Sequence, residues 1–231
     1  MFHKESISHD LLTLIYQLQS IEELKYFRLA GGTGLALQIG HRRSIDIDLF
    51  TDKPVDREGI QHVISKNFPY AEAGLKTGFG IVFNIHNIKV DLCYDGGKFI
   101  RPVIIKENIK MASKEDIAAM KAGAIAERAA KKDFYDIAFL LSEYKLKEFV
   151  RFYQERYPFM DKRNIIEAFK KHDKADEDIN PILLKKISWK QVKKKIDESF
   201  DEFMKEARTS KEIKIQERIQ KAENLIRQKK K

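Results

Sequence analysis

Hydrophobic positions in the first half of the chain change between helical and strand spacing. Leu11, Leu14, Ile15 and Leu18 recur near helical spacing, which predicts a helix over 9–24. Between residues 44 and 50, apolar and polar side chains alternate, and this is the pattern of a half-buried strand. The same reasoning predicts helices at 33–39 and 56–67, a hairpin turn at His86-Asn87, and strands at 26–30, 71–76, 79–85, 88–94 and 100–105.

Helical spacing dominates from residue 113 onward. Ser113, three residues before Asp116, is typical of a helix start, and Pro158 and Pro181 separate later helical stretches. The predicted helices cover 114–130, 133–143, 146–156, 162–171, 189–207 and 210–229. The predicted fold class is therefore α+β, with a sheet and flanking helices over 1–112 and a mostly helical domain over 113–231.

The composition is that of a folded protein with a heavily charged surface, since 43% of the residues are hydrophobic and 34% are charged. No stretch approaches the roughly 20 apolar residues that a membrane span needs, and the N-terminus has no signal-peptide pattern. The single cysteine, Cys93, excludes an internal disulfide and fits a reducing compartment. We expect a cytoplasmic protein with no membrane partner.

The net charge of +9 is unevenly distributed. Residues 1–100 carry 11 basic and 12 acidic side chains, whereas residues 101–231 carry 33 basic and 23 acidic ones. This asymmetry suits a polyanionic partner such as RNA, because lysines near phosphates release condensed counterions. The alternative is a solvated, lysine-rich surface. The basic C-terminal segment, 208–231, is either a helix that docks on a partner or a basic tail.

A glycine turn followed by a pair of aspartates is the main chemical signal. Asp46 and Asp48, two apart on a strand, point to the same face, where their repulsion favours a bound Mg²⁺ (or Mn²⁺). Gly31, Gly32 and Thr33 open a short helix whose free N–H groups can approach phosphate oxygens. An aspartate pair alone is more typical of a solvent-facing strand edge, but the glycine turn within twenty residues favours a nucleotide and metal site.

Asp91 is the candidate third carboxylate. It lies between Val90 and Leu92, whose side chains face the other way on the predicted strand. In a two-metal site, such an aspartate can coordinate a metal and take the proton from the attacking hydroxyl. The alternative is an ordinary exposed aspartate. Ser44, at the start of the Asp46 strand, is a further candidate for nucleotide binding.

A second group of charged residues lies in the helical half. Steps of seven and eleven residues from Lys121 place Arg128 and Lys132 on one helix face, where they can bind triphosphate oxygens. Asp133 and Asp136 can hold these cations or contact a base or ribose. The alternative is an intrahelical ion-pair network without a ligand.

Two stretches resemble the AbiEii/AbiGii toxin family of nucleotidyltransferases. They run from Leu29 through the glycine turn and aspartates to Phe50, and from Lys121 through Arg128 to Ile137. With Asp91, the resemblance covers about residues 10–145. Gly34 stands where alanine or serine is more usual in the family, which we do not expect to affect the chemistry.

The resemblance implies a polymerase-β-like fold with a helical C-terminal domain, and nucleotide transfer from an NTP with Mg²⁺. It also implies the role of toxin in an antitoxin pair, and some members are similar to enzymes that add nucleotides to the acceptor end of tRNA. On this chain it assigns the metal to Asp46 and Asp48 and the phosphates to Gly32 and Thr33. The family's second conserved cluster comprises Lys121, Lys132 and Asp133.

The predicted function is therefore transfer of a nucleotidyl group from an NTP to a hydroxyl, with RNA such as tRNA as the leading acceptor. A second hypothesis is modification of a protein hydroxyl or a small molecule such as an aminoglycoside, which the basic second half disfavours. A third is a non-catalytic protein that binds nucleotide or a partner. The intact carboxylates Asp46, Asp48 and Asp91 argue against it.

Overall fold

A mixed β-sheet forms the centre of the first half. The structure is a computed structural model that describes residues 2–77 and 80–229, including all of their side chains except those of 75–77 and 211–229. Within these residues the strands are β1 (Arg28–Leu29), β2 (Ile47–Phe50), β3 (Glu72–Thr77), β4 (Gly80–Ile85), β5 (Ile88–Cys93), β6 (Ile104–Lys106) and β7 (Ile109–Met111). They form one sheet in the order β3-β4-β5-β2-β1-β7-β6. β2 is parallel to β5 and β1 to β7, and the other neighbours are antiparallel.

Helices flank this sheet and build the second half. Within the described residues they are α1 (His9–Ser20), α2 (Gly31–Ile39), α3 (Arg57–Asn67), α4 (Lys114–Glu127), α5 (Lys131–Leu140), α6 (Leu146–Arg156), α7 (Lys162–Ala168) and α8 (Trp189–Lys229). Ser113 caps α4 as predicted, accepting a hydrogen bond from the backbone N–H of Asp116. The predicted α+β class is confirmed. No helix in the described part of the chain is both long and apolar enough to span a membrane.

Two clusters of buried side chains stabilise the two halves. The first packs α1 and α3 against one face of the sheet, with Leu14 and Phe83 among its members. The second joins α4 to the helices that follow it and includes Phe134. α2 belongs to both, since Leu35 lies in the second cluster and Leu37 in the first. A division into domains at residues 112 and 113 stays a prediction.

Two-residue turns connect two of the hairpins. His86 and Asn87 have φ of 53° and 62°, the left-handed values that type I′ hairpin turns require. The predicted turn there is confirmed. The single strand predicted at 100–105 is wrong, because Glu107 and Asn108 (φ 47° and 61°) form a second such turn between β6 and β7.

Several predicted boundaries are also wrong: among them, the helices predicted at 9–24, 133–143 and 162–171 end at Ser20, Leu140 and Ala168. The strand predicted from residue 44 begins only at Ile47, because the N–H of Ser44 bonds to the carbonyl of Ser6. α4 ends at Glu127 instead of residue 130, and Ala129 has a φ of 47°. The helices predicted at 189–207 and 210–229 form one continuous helix, since no glycine or proline interrupts residues 189–229.

Arg156 of α6 joins the helical half to the segment that follows β5. Its side chain is fully buried, and its guanidinium donates to both carboxylate oxygens of Asp95 at 2.9 and 3.0 Å and to the carbonyl of Lys98 at 3.0 Å. Nη2 contacts both Asp95 oxygens while Nη1 donates to Lys98, and these charge-assisted bonds together fix the orientation of the guanidinium. The loop between β5 and β6 is therefore held against α6.

Replacing Arg156 with Leu is expected to lower the free energy of unfolding by about 3 kcal/mol, because Asp95 loses its buried partner. Urea denaturation at neutral pH measures this loss. Arg151→Leu on the same helix is the control, since that side chain is 57% exposed, and we expect a change of at most about 0.5 kcal/mol. Equal losses in the two variants would contradict the prediction.

Candidate active site

The N-terminus of α2 lies against the Asp48 carboxylate. Gly31 begins this helix with a φ of 57°, and a Cβ at this position would overlap the Asp48 carboxylate. Ala30, at the N-cap, provides no side-chain hydrogen bond to the first turn. The first N–H groups of a helix have no intrahelical partners, and their partial positive charge attracts anions. This end of α2 is therefore suited to phosphate oxygens, and the assignment of Gly31 and Gly32 to the nucleotide stays a prediction.

Buried hydroxyl groups hold the segment that leads to the aspartates. Thr33 is fully buried, and its hydroxyl donates to the backbone carbonyl of Asp46 and lies 2.8 Å from the Ser44 hydroxyl. Ser44 is itself buried. Both hydroxyls are thus engaged inside the protein, so the structure supports a positioning role for Thr33 and Ser44 rather than direct contact with a nucleotide.

Asp48 and Asp91 are direct neighbours on the sheet. β2 and β5 are parallel and pair these two residues in register, so both side chains point to the same face. Burial raises the pKa of Asp48, and the nearby Asp91 carboxylate raises it further. Lys89 Nζ lies 2.6 Å from Asp91 Oδ2, whereas Asp91 Oδ1 is buried and has no hydrogen-bond partner among the described residues. Lys89 therefore compensates one oxygen of the pair, and the other oxygen of Asp91 is left without a partner in the described part of the chain.

Asp46 lies close to Lys132 of α5, in the helical half. Its Oδ2 lies 3.8 Å from Lys132 Nζ, and the two side chains are 30% and 49% exposed. Within the described residues, no three His, Cys, Asp or Glu side chains converge closely enough to hold a metal ion. Mg²⁺ is commonly bound by one or two carboxylates together with substrate phosphates, so a prearranged cage of three is not required. The oxygen donors of Asp48 and Asp91, one of them unpartnered, fit such an ion.

A buried ionic cluster lies behind the site and is centred on Asp136. Arg42 donates from Nε to Asp136 Oδ1 at 2.6 Å and from Nη2 to Oδ2 at 2.9 Å, and Lys121 Nζ lies 2.6 Å from Oδ2. Nε2 of the fully buried His41 is 2.7 Å from Oδ1. Burial alone would raise the pKa of Asp136, but Arg42 and then Lys121 outweigh it and hold this pKa well below its ordinary value.

Asp133 extends the cluster toward the surface. It is fully buried and accepts hydrogen bonds from Lys121 Nζ at 2.7 Å and from Arg128 Nε at 2.9 Å. Burial raises the pKa of Asp133, but Lys121 and Arg128 outweigh this effect and lower it. The Arg128 side chain is 58% exposed, so it can contact a ligand as well.

The predicted single cationic helix face is wrong. α4 ends before Arg128, and Lys132 lies on α5, so the turn between two helices brings these side chains together. Lys121 is buried rather than open to a cleft. For Lys121, Asp133 and Asp136, the alternative of an ion-pair network without a ligand fits better than triphosphate binding. The ion pairs join α4 to α5, however, and do not lie within one helix. Arg128 and Lys132 remain the exposed cations of the set.

Arg42 and Lys89 are residues that sequence reasoning missed. Arg42 stands in a basic run that looks like a solvated turn, yet it is 4% exposed. A general signal was available, because Asp133 and Asp136 in an apolar helix need cationic partners when they are buried. Lys89 shares the sheet face of Asp91, two residues away, and strand alternation alone could have revealed it.

Comparisons with known proteins agree with this geometry. The family model described as nucleotidyl transferase AbiEii toxin, type IV toxin–antitoxin system, matches residues 13–222. The uncharacterized protein aq_aa25 of Aquifex aeolicus (strain VF5) is 34% identical over 163 residues, which cover 66% of this chain and 77% of that protein.

Solved structures show the same fold. A protein of H. pylori described as a nucleotidyltransferase superposes with a TM-score of 0.56 at 16% identity, over 87% of this chain and 94% of its own. The antibiotic-resistance factor ANT(2'')-Ia superposes with a TM-score of 0.50 at 16% identity, over 71% and 97%. The predicted polymerase-β-like nucleotidyltransferase fold is confirmed.

Gly31→Ala is expected to reduce nucleotidyl transfer by about 100-fold or more, because the added methyl group displaces the Asp48 carboxylate. Transfer of label from a radioactive NTP measures the loss. Gly96→Ala is the matched control, since Gly96 also has a positive φ, of 79°, but no atom lies within 4 Å of the added Cβ. Equal activity in both variants would contradict the prediction.

Stability is expected to fall below pH 6.5 because of His41. Burial lowers the pKa of His41 from its ordinary value of 6.5, although Asp136 partly opposes this. The unfolded chain then takes up a proton that the folded protein does not, so stability that is present above pH 6.5 is lost as the pH falls, at up to about 1.4 kcal/mol per pH unit. Urea denaturation at pH 7.5 and 5.5 measures the slope.

His41→Asn should remove part of this slope, whereas His62→Gln, at an exposed position on α3, should leave it unchanged. A slope in His41→Asn as steep as in the wild type would overturn the assignment to His41.

Proposed function

This chain belongs to the AbiEii family of nucleotidyltransferases, and we propose that it transfers a nucleotidyl group from an NTP to a hydroxyl on RNA, with tRNA as the leading acceptor. The observation that carries the proposal is the Asp48–Asp91 pair facing the uncapped N-terminus of α2. Two carboxylates lie beside a helix end whose first N–H groups suit phosphate oxygens, and this combination serves phosphoryl chemistry better than a structural purpose.

The triphosphate would lie between α2 and the helical half. Its oxygens would accept hydrogen bonds from the first N–H groups of α2 and from Arg128 and Lys132, which are half exposed at the opposite wall. Thr33 and Ser44 would hold the segment before Asp46 in place from behind. Lys121, Asp133 and Asp136 would fix the position of Arg128 and the start of α5.

Asp48 and Asp91 would hold Mg²⁺ (or Mn²⁺) together with the NTP, and Asp46, the third predicted metal ligand, would add its negative charge beside them. The bound ion would neutralise charge on the phosphates and on the leaving pyrophosphate. Asp91 would also accept the proton of the attacking hydroxyl, since its Oδ1 has no hydrogen-bond partner among the described side chains. Repulsion between Asp48 and Asp91 favours binding of a cation at this place.

The charge distribution supports RNA as the acceptor. Residues 101–231 carry 33 basic and 23 acidic side chains, which suits a polyanion and disfavours a polycationic aminoglycoside. The helical half would bind the acceptor. As the family description implies, the chain would act as a toxin paired with an antitoxin protein, and we expect this in the cytoplasm, where RNA and NTPs are found.

Asp46→Asn should abolish transfer without unfolding the protein, because it removes a charge from the metal-binding face while keeping the shape of the side chain. The assay incubates each of the four radiolabelled NTPs with Mg²⁺, total cellular RNA and either protein. Asp52→Asn, an exposed position beyond β2, is the matched control and should keep full activity.

Label in a tRNA-sized band with the wild type and Asp52→Asn, but not with Asp46→Asn, would support the proposal and identify the nucleotide. Label in protein would instead favour a protein hydroxyl as the acceptor. Full activity of Asp46→Asn would refute the assignment of the site.

A further inference from the structure

The sheet face that carries Asp91 continues onto β4 and β3. Asp91 pairs in register with Val82, while Lys89 pairs with Asn84, which in turn pairs with Glu72. Residues opposite each other in register point to the same face, so these side chains form two rows beside Asp91. Lys89, Asn84 and Glu72 are exposed, and this part of the face is therefore open to solvent.

A β-bulge shapes this surface into a depression of about 390 Å³. The register between β3 and β4 shifts after Ala73, so that two residues of β3 lie opposite Val82, and such a bulge bends the strand. Gly74 contributes to the depth of the depression because it has no side chain. Even a Cβ there would lie only 3.3 Å from the carbonyl oxygen of Val82. The lining includes Glu72, Gly74, Val82, Asn84, Asn87 and Lys89.

The depression adjoins the reacting groups. Lys89, in its wall, pairs with Asp91 Oδ2 at 2.6 Å. Asp48 and the N-terminus of α2, where the triphosphate would bind, lie on the other side of Asp91. A group in the depression would thus reach Asp91 from the side away from the triphosphate. In-line displacement at phosphorus requires the attacking hydroxyl and the leaving pyrophosphate to lie on opposite sides, and this arrangement suits that requirement.

The lining chemistry fits a nucleoside. It combines one carboxylate (Glu72), one ammonium group (Lys89) and two amides (Asn84 and Asn87), so it carries no net charge. Amide and carboxylate groups read the hydrogen-bonding edges of bases, whereas an aminoglycoside, with several positive charges, requires several carboxylates. The volume also lies within the roughly 300–1,000 Å³ typical of small-ligand sites.

We propose that this depression binds the terminal nucleoside of the acceptor RNA and presents its hydroxyl to Asp91. The inference rests on the RNA acceptor proposed above. The hydroxyl proton passes to the Asp91 carboxylate as the hydroxyl oxygen bonds to the α-phosphorus. The bond from the α-phosphorus to the bridging oxygen breaks, and pyrophosphate leaves with the electron pair.

Steady-state kinetics with tRNA and the NTP test the site. Gly74→Leu fills the depression and Asn84→Ala removes an amide without adding volume. Each should raise the KM for tRNA about tenfold, the effect of losing one good base contact, while the KM for the NTP stays within about twofold of the wild type. Lys106→Leu, exposed on β6 at the opposite edge of the sheet, should change neither KM. An unchanged KM for tRNA in both depression variants would overturn the proposal.

Photocrosslinking separates this inference from the proposed function. The inactive Asp46→Asn protein is irradiated with tRNA whose 3′-terminal nucleotide carries a photoreactive base, and the crosslinked peptide is identified. We expect it to contain residues from 72–74 or 80–89, and Gly74→Leu should weaken the crosslink. A crosslink confined to residues 113–231, or none at all, would overturn the depression as the acceptor site. A crosslink in the depression without transfer by the wild type would support the site and refute the proposed reaction.

Discussion

Burial of the Asp136 carboxylate, where the two halves of the chain meet, is the interaction on which the rest of the structure depends. An unpaired carboxylate in this position would cost several kcal/mol. Arg42 and His41 come from the turn after α2, whereas Lys121 comes from α4, so both halves must be in place to neutralise it. The ionic cluster therefore ties the position of α2, and with it the N-terminus of that helix beside Asp48, to the helical half.

The contrast between Asp136 and Asp48 separates structural from functional acids. Both are removed from water to a large extent, but the pKa of Asp136 is lowered by its partners whereas that of Asp48 is raised by burial and by Asp91. The fold supplies three partners to Asp136, whereas it leaves Asp48 beside the Asp91 carboxylate. The negative charge of Asp48 and Asp91 is therefore not fully neutralised within the protein. Such unfavourable arrangements are typical of positions that a ligand completes.

Local patterns in the sequence predicted much of the fold and part of the candidate site. The alternation around Ile47 and the spacing in α6 predicted their elements, because each depends on one buried face. The aspartates could be placed on one face for the same reason. Arg42 was missed because its contact with Asp136 joins residues 94 apart in the chain. The depth of Lys121 was missed because it depends on how α4 packs against α5. The second hairpin was missed because β6 and β7 have only 3 residues each, too few to show the alternation that marks a strand.

The glycines of the run Gly31-Gly32-Thr33-Gly34 lie where α2 contacts three other parts of the molecule. A Cβ at Gly31 would overlap the Asp48 carboxylate, and one at Gly32 would overlap the Arg42 guanidinium. At Gly34 it would lie 2.9 Å from the carbonyl oxygen of Leu29 on β1. One helical turn thus packs against a catalytic candidate, the buried cluster and the sheet at once. A side chain at Gly34 would push α2 slightly away from β1 and shift its N-terminus relative to Asp48, so this glycine sets the spacing between the helix and the sheet.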